Sequence, residues 1–263
     1  MSRRRIKPIQ TVRLLVQLFF LGGISYLILS RPGPAGVHNI CPFALVQVPV
    51  LSASHSIPAD FFLVGLAAGG FFLLLSFILP RAFCGWVCPV GTLSRIVGWI
   101  AKKLGLARRT KVRPNNRLGW LAVGVLFYVA LATFISGRLF CMGGCPFFWP
   151  YAAWVIPMGA LTVGLLGFFL VGSLFYERFF CRWICPYGAL LGIAGRYSLL
   201  AINKKSGCGG CGRCFDCPMG TLPQRGPAVE GPMCISCMRC IESCGEESCL
   251  SLGWRYWGHK SCK

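Results

Sequence analysis

The sequence predicts an α-helical membrane protein of four transmembrane helices, arranged as two parallel two-helix repeats and followed by a small cysteine-rich domain. Three observations predict it. The 263 residues are 55% hydrophobic and only 13% charged, and four apolar runs approach the ~20 residues a helix needs to cross a bilayer. A cysteine-containing motif recurs at corresponding places in the two halves. Seventeen cysteines are present, and they crowd the last quarter of the chain.

The chain opens with Ser2-Arg3-Arg4-Arg5 ahead of an apolar run, which faintly resembles a twin-arginine signal. Only Ser30-Arg31-Pro32-Gly33-Pro34 follows that run, with no small-residue cleavage site, so the arginines read as the cytoplasmic flank of a first helix. The expected spans are 12–29, 61–79, 118–135 and 155–176. The loop between the second and third holds nine Lys and Arg from Arg81 to Arg117 and no acid, whereas the outer loops hold Arg31 and Arg138. The positive-inside rule then places both termini of a multi-pass protein in the cytoplasm.

With 27 Lys+Arg against 7 Asp+Glu, the net charge is +20. The basic residues sit beside apolar segments, where anionic lipid headgroups are the natural partner. No basic stripe interleaved with exposed aromatics stands apart from the spans, so nucleic acid is not an expected partner.

The membrane part reads as an internal duplication. Residues 83–98, FCGWVCPVGTLSRIVG, match residues 180–195, FCRWICPYGALLGIAG, at nine of sixteen positions. Upstream, Cys41-Pro42-Phe43 corresponds to Cys145-Pro146-Phe147. Each half is a span, an outer loop with Cys-Pro-Phe, a second span, an inner Cys-x3-Cys-Pro and an amphipathic segment. Two spans per half give both halves one orientation, hence a pseudo-two-fold axis along the membrane normal. The expected division is a four-span membrane domain over 1–200, with repeats about 12–100 and 118–196, and a cytoplasmic two-cluster ferredoxin-like domain over 201–263.

In the inner motifs, Cys84 with Cys88 and Cys181 with Cys185 are spaced to present two sulfurs on one helical face. Proline favours a first helical turn and keeps its predecessor extended, so Cys88 and Cys185 are expected at N-caps, with Arg81 and Arg182 as neighbouring cations. These four read as reactive thiols or metal ligands, either one shared thiolate site or two dithiol pairs. Buried packing residues are the competing reading. Cys141-Met-Gly-Gly-Cys145-Pro146 repeats the spacing on the outer side, where a disulfide or plain packing is equally open.

The C-terminal region carries two dense runs: Cys208, Cys211, Cys214 and Cys217, then Cys234, Cys237, Cys240 and Cys244. Three cysteines two residues apart wrap a cubane, and the fourth cysteine of each run ligates the other cluster in two-cluster ferredoxins. Two [4Fe–4S] clusters are expected. One is held by Cys208, Cys211, Cys214 and Cys244, the other by Cys234, Cys237, Cys240 and Cys217. The first run ends in a two-residue gap and the second in Gly245 rather than proline, so Cys249 stands as a spare ligand. Zinc sites favour paired C-x2-C units, and disulfide frameworks favour small secreted domains. His38, His55 and His259 do not face one another within the spans, so a bis-histidine transmembrane haem is not expected. No glycine-rich phosphate loop follows a strand.

Four spans, two inner Cys-x3-Cys-Pro motifs and a C-terminal pair of cluster runs resemble the NapH/MauN family of membrane-bound ferredoxin-type proteins over nearly the whole length. The resemblance implies the membrane component of a quinol dehydrogenase. Such a component takes electrons from quinol towards a periplasmic reductase or dehydrogenase system, with a second, periplasmic ferredoxin-like subunit. Individual motifs are shared with NosR-type and CcoG-type proteins. An alternative is therefore a cluster-dependent copper reductase or maturation factor in which the inner motifs hold the copper, since soft thiolates suit Cu(I); in the electron-transfer reading the inner motifs hold an iron or iron–sulfur centre. A third is an assembly platform with structural clusters. The third Cys-x3-Cys-Pro leaves the particular pathway open.

Overall fold

The computed structural model describes residues 8–30, 41–55, 63–105, 116–137, 160–204, 217–221, 233–243 and 250–255. Cys208, Cys211, Cys214, Cys244, Cys249 and the motif at Cys141 and Cys145 lie outside the described residues. The chain is mostly helical. Helices α1 (Pro8–Ser30), α2 (Ala44–His55), α3 (Leu63–Ile78), α4 (Ala82–Trp86) and α5 (Pro89–Lys103) form the first repeat. Helices α6 (Asn116–Ser136), α7 (Ala160–Phe175), α8 (Phe179–Trp183) and α9 (Pro186–Gly195) belong to the second.

Helices α1, α3, α6 and α7 coincide with the four expected spans. Among the described residues, Pro8–Leu27 is the one stretch long and apolar enough by itself to cross a membrane; Leu63–Ile78, Trp120–Ser136 and Val163–Phe175 are shorter apolar helices. All four turn large apolar side chains outward. Phe19 is 75% exposed, Leu74 68%, Ile135 73% and Phe168 55%. A soluble monomer rarely exposes so continuous an apolar surface, whereas lipid accepts one.

The local chemistry of the repeat is the same in both halves. Arg81 and Arg178 stand in the left-handed region, at φ 47° and 63°, and each begins a five-residue helix. Cys88 and Cys185 follow as extended N-caps, at φ −62°, ψ 122° and φ −64°, ψ 112°, with Pro89 and Pro186 in the first turns of α5 and α9. The proline ring excludes α geometry from the cysteine before it while presetting its own φ for a helix.

The helices after the motifs then cross over. Helix α9 packs on α6 of its own repeat and α3 of the other; α5 packs on α1 of its own repeat and α7 of the other. Ser94 of α5 and Ser173 of α7 bring their hydroxyl oxygens to 3.4 Å, a polar tie across that contact.

The Cys-Pro-Phe segment departs from the expected outer loop. It leads into α2, which packs on α3 and α6. At Gly69, near the middle of α3, an added Cβ would come within 2.8 Å of the Pro42 carbonyl oxygen and of the Leu45 Cβ. Only glycine admits α2 so closely. Tyr187 of α9 donates to the Gly69 carbonyl at 2.9 Å, and the Phe43 and Phe83 rings each lie 5.6 Å from its ring. Buried Cys41 therefore belongs to the helical core, for a reason invisible in one dimension: α9 of the other repeat supplies the wall.

Strands β1 (Leu200–Lys204) and β2 (Leu250–Trp254) pair antiparallel, with Leu200 opposite Trp254 and Lys204 opposite Leu250. Helix α10 (Arg239–Ser243) packs on β2 and on α1. Its Arg239 bonds Glu177, which follows α7, at 3.0 Å, and Lys102 reaches the same carboxylate at 2.7 Å. Burial opposes ionisation of Glu177, but the charges of Arg239 and Lys102 outweigh it and hold the carboxyl at about 2. Its folded value lies below the ordinary 4.5, so its stabilising contribution is complete above that value and is lost as pH falls towards about 2. Glu177→Gln is expected to loosen α10 by about 1–2 kcal/mol, between an exposed and a buried ion pair. Faster hydrogen exchange over residues 233–243 at pH 7, with little change in α1, would register it; unchanged exchange would show the pair to be idle.

Candidate functional site

Two groups of thiols lie close together, with Cys237 packed in the same hydrophobic cluster as Cys84, Cys88 and Cys185. The first comprises Cys217, Cys234, Cys237 and Cys240, which line a single cavity with Ile202, Pro218, Met219, Ile235 and Arg239. The second comprises Cys84, Cys88, Cys181 and Cys185, all buried. Cys84, Cys88, Cys185, Cys237, Ile235 and the partly buried Cys217 share one hydrophobic cluster, while Cys234 and Cys240 lie in a second one with Ile202 and Leu250.

At the first group the backbone curls around the cavity. Ser236 and Met238, on either side of Cys237, adopt φ 47° and 56°. Left-handed geometry costs a residue with a side chain roughly 1–2 kcal/mol, so two such residues in one short run mark an imposed shape. Burial first, then neighbouring thiols, push Cys240 up to about 12 and raise Cys234 and Cys217 as well. Bare, these thiols stay protonated; a polycationic core is what can hold them as thiolates.

At the second group the cysteines of the two repeats come within electrostatic reach of one another. Cys84 lies within electrostatic reach of Cys181; Cys88 of Cys84 and Cys181; Cys185 of all three others. The Cys185 sulfur accepts from the Gly188 N–H at 3.2 Å, the cap expected of it, while Cys88 holds the matching N-cap without a side-chain bond. A single tetrahedral ion about 2.3 Å from each sulfur needs sulfurs about 3.8 Å apart. Among the described residues, no three Cys, His, Asp or Glu side chains gather tightly enough to hold one metal ion. A core of several sulfide-bridged irons sets its thiolates wider apart than a single ion does.

Of the two expected cations, Arg81 stands beside Cys84 and Cys181, but Arg182 does not. Arg182 lies within electrostatic reach of Cys217 and its guanidinium carbon is 5.0 Å from the Trp183 ring centroid, so it faces the first group. Arg178 takes the place beside Cys84 and Cys181, donating to the Cys84 carbonyl at 2.6 Å. Sequence reasoning also passed over Tyr187, which lies within electrostatic reach of Cys84, Cys88, Cys185 and Cys41. The duplication held the signal for Arg178, since it occupies the position equivalent to Arg81.

The two groups are joined at Gly85. Arg13 Nε and Gln17 Nε2 donate to its carbonyl at 2.9 and 2.8 Å. Trp86 Nε1 donates to the Ser236 carbonyl at 2.9 Å, the Ser236 hydroxyl donates to the Pro80 carbonyl at 2.8 Å, and Gln10 Nε2 donates to the Cys237 carbonyl at 2.8 Å. A Cβ on Gly85 would lie 2.2 Å from the Ile235 carbonyl oxygen. The second repeat has Arg182 at this position, so only the first repeat offers a surface on which the cysteine segment can seat. Gly85→Ala is expected to push that segment off its seat while α4 itself stays helical. Increased protease cleavage within 233–243 would report this, and wild-type resistance would contradict it.

A family described as a 4Fe-4S binding domain matches residues 61–107 and again 157–207, the two repeats that carry the inner motifs. The ferredoxin-type protein NapH of Haemophilus influenzae is 31% identical over 214 residues, which cover 77% of this chain and 72% of NapH. The methylamine utilization ferredoxin-type protein MauN of Methylorubrum extorquens is 32% identical over 176 residues, 66% of this chain and 58% of MauN. YccM of Escherichia coli is 32% identical over 194 residues, 68% of this chain and 53% of YccM, so the match spans about half of that protein. No solved structure matches.

Proposed function

The chain belongs to the NapH/MauN family of ferredoxin-type proteins, and from that premise we propose that it is the membrane subunit of an electron-transfer chain, accepting electrons from a quinol and directing them towards a periplasmic reductase or dehydrogenase system. Its coarse role is iron–sulfur electron transfer. The observation that carries this reading is the seat at Gly85, which packs the segment bearing Cys237 directly against the repeated motif.

Cys217, Cys234, Cys237 and Cys240 would hold one [4Fe–4S] cluster; Cys208, Cys211, Cys214 and Cys244 are proposed for another. Cys84, Cys88, Cys181 and Cys185 are proposed as a third, shared centre, in keeping with the family description that covers both repeats and stops short of Cys208. Bound there, such centres supply reversible one-electron storage. The residues supply the rest. Gln10, Arg13, Gln17 and Trp86 fix the distance between the two thiol groups, and Phe83, Phe180, Ile235 and Met219 keep water out. Tyr187 and Cys41 continue the buried thiol-bearing region to mid-α3, which shortens the gap across a hydrocarbon core roughly 30 Å thick.

A periplasmic ferredoxin-like subunit is the proposed partner. Copper handling by the Cys-x3-Cys-Pro pairs is the alternative, since soft thiolates suit Cu(I). The test is anaerobic redox titration of the purified protein with and without a quinol. Quinol-dependent bleaching of the cluster absorption supports the reading; reduction by dithionite alone would sink the quinol assignment.

Four spans with both termini in the cytoplasm form part of the proposal. Reporter fusions after Lys111 and at the C-terminus are expected to report cytoplasm, and one near His55 periplasm. A periplasmic C-terminus would reverse the orientation.

A further inference from the structure

Arg81 and Arg178 occupy equivalent positions, each three residues before the first cysteine of its motif, and both are held in left-handed backbone geometry. They are 2% and 0% exposed. Each reaches into the other repeat: Arg178 donates to the Cys84 carbonyl, and Arg81 donates to the Gly188 carbonyl. Both guanidiniums lie within electrostatic reach of Cys84 and of Cys181. Among the described residues neither meets a carboxylate, and Arg81 Nε, Arg178 Nε and Arg178 Nη2 have no hydrogen-bond partner.

Two buried guanidiniums with unspent donors require negative charge nearby. Carboxylates are scarce, at seven in the chain. Glu177, next to Arg178 in sequence, is engaged by Lys102 and Arg239 instead. Among the described residues, the anionic candidates beside these guanidiniums are the thiols of this group, and neutral thiols would leave both cations uncompensated.

We propose that Arg81 and Arg178 are the built-in counter-ions of a doubly negative four-thiolate iron–sulfur centre on Cys84, Cys88, Cys181 and Cys185. This rests on the reading of those cysteines as one shared centre. Four thiolates exceed the two guanidiniums by two negative charges, which a core carrying two positive charges balances. The pair thus selects the charge of the core and acts on its potential through space, as positioning residues rather than ligands. Fixed positive charge favours the more negative, reduced form, so losing one guanidinium makes the centre harder to reduce.

The test uses the full chain purified anaerobically in detergent, following the spectroscopic signal that disappears in both Cys84→Ser and Cys181→Ser. Arg81→Gln and Arg178→Gln are each expected to lower the midpoint potential of that signal. The double variant is expected to lower it further or to lose the iron of that centre, and Arg→Lys at either position to return most of the shift. Gln variants with full iron and an unchanged midpoint would overturn the counter-ion proposal while leaving the centre in place. If Cys84→Ser and Cys181→Ser keep wild-type iron and spectra, the shared centre itself is absent and the proposal falls with it. Should a Gln variant not accumulate, the charge question is read in the Cys84→Ser background. There Arg178→Gln is expected to raise the thermal midpoint, because it removes a buried cation that has lost its partner; a lower midpoint would overturn the proposal.

Discussion

Serine in place of Cys84 or of Cys181 is expected to abolish one and the same spectroscopic signal, and with it quinol-linked reduction of the C-terminal clusters. The two residues are far apart in the chain and belong to different repeats, yet they lie within electrostatic reach of each other and of both arginines. Two independent dithiol pairs predict something else: each change would spare the signal of the other repeat. The expected loss of reduction is close to complete, because the Gly85 seat makes this group the immediate neighbour of the Cys237 cavity. Direct reduction by dithionite is expected to survive, which separates a broken path from a broken acceptor. If both variants keep full metal content and normal electron transfer, these cysteines are packing residues and the reading of the site is wrong.

Cys237→Ser is expected to remove one of the two C-terminal centres outright. Iron in those two centres should fall from about eight atoms to about four, four per cubane. Cys237 lies between two left-handed residues at the cavity wall, so its sulfur has no freedom to be replaced by a neighbour. Its carbonyl, which accepts from Gln10, is untouched by the change, so the segment should stay seated. Helical content measured by circular dichroism should therefore hold while iron and sulfide fall. Cys211→Ser is the matching change in the other run. Wild-type protein that carries stoichiometric zinc and no iron would end the cluster assignment for both.

The features legible in the sequence are those that depend on near neighbours. Proline after Cys88 and Cys185 dictates an extended cysteine followed by a helix start, whatever surrounds it, and both N-caps are there. The duplication reveals itself by letter identity, and it implies an axis that brings equivalent residues near one another. Cys84 and Cys181 stand so. The crowding of Cys234, Cys237 and Cys240 follows from two-residue gaps, which keep successive sulfurs close in a curl or in a helical turn.

Packing between distant segments decided the remainder. Cys41-Pro42-Phe43 reads as a loop on the outer side, because nothing in that stretch records that Gly69 lacks a side chain opposite it or that Tyr187 will supply a wall. Arg182 is next to Cys181 in the chain, but a helix turns successive side chains about 100° apart, and the neighbour of the thiols proves to be Arg178. Gly85 and Arg182 differ between otherwise matching repeats, and only the docked cysteine segment gives that difference a meaning. Spacing and proline act through covalent geometry, so the sequence alone determines them. Which buried charge meets which thiol is settled by contacts between residues far apart in the chain, and those exist only once the two repeats have crossed over each other.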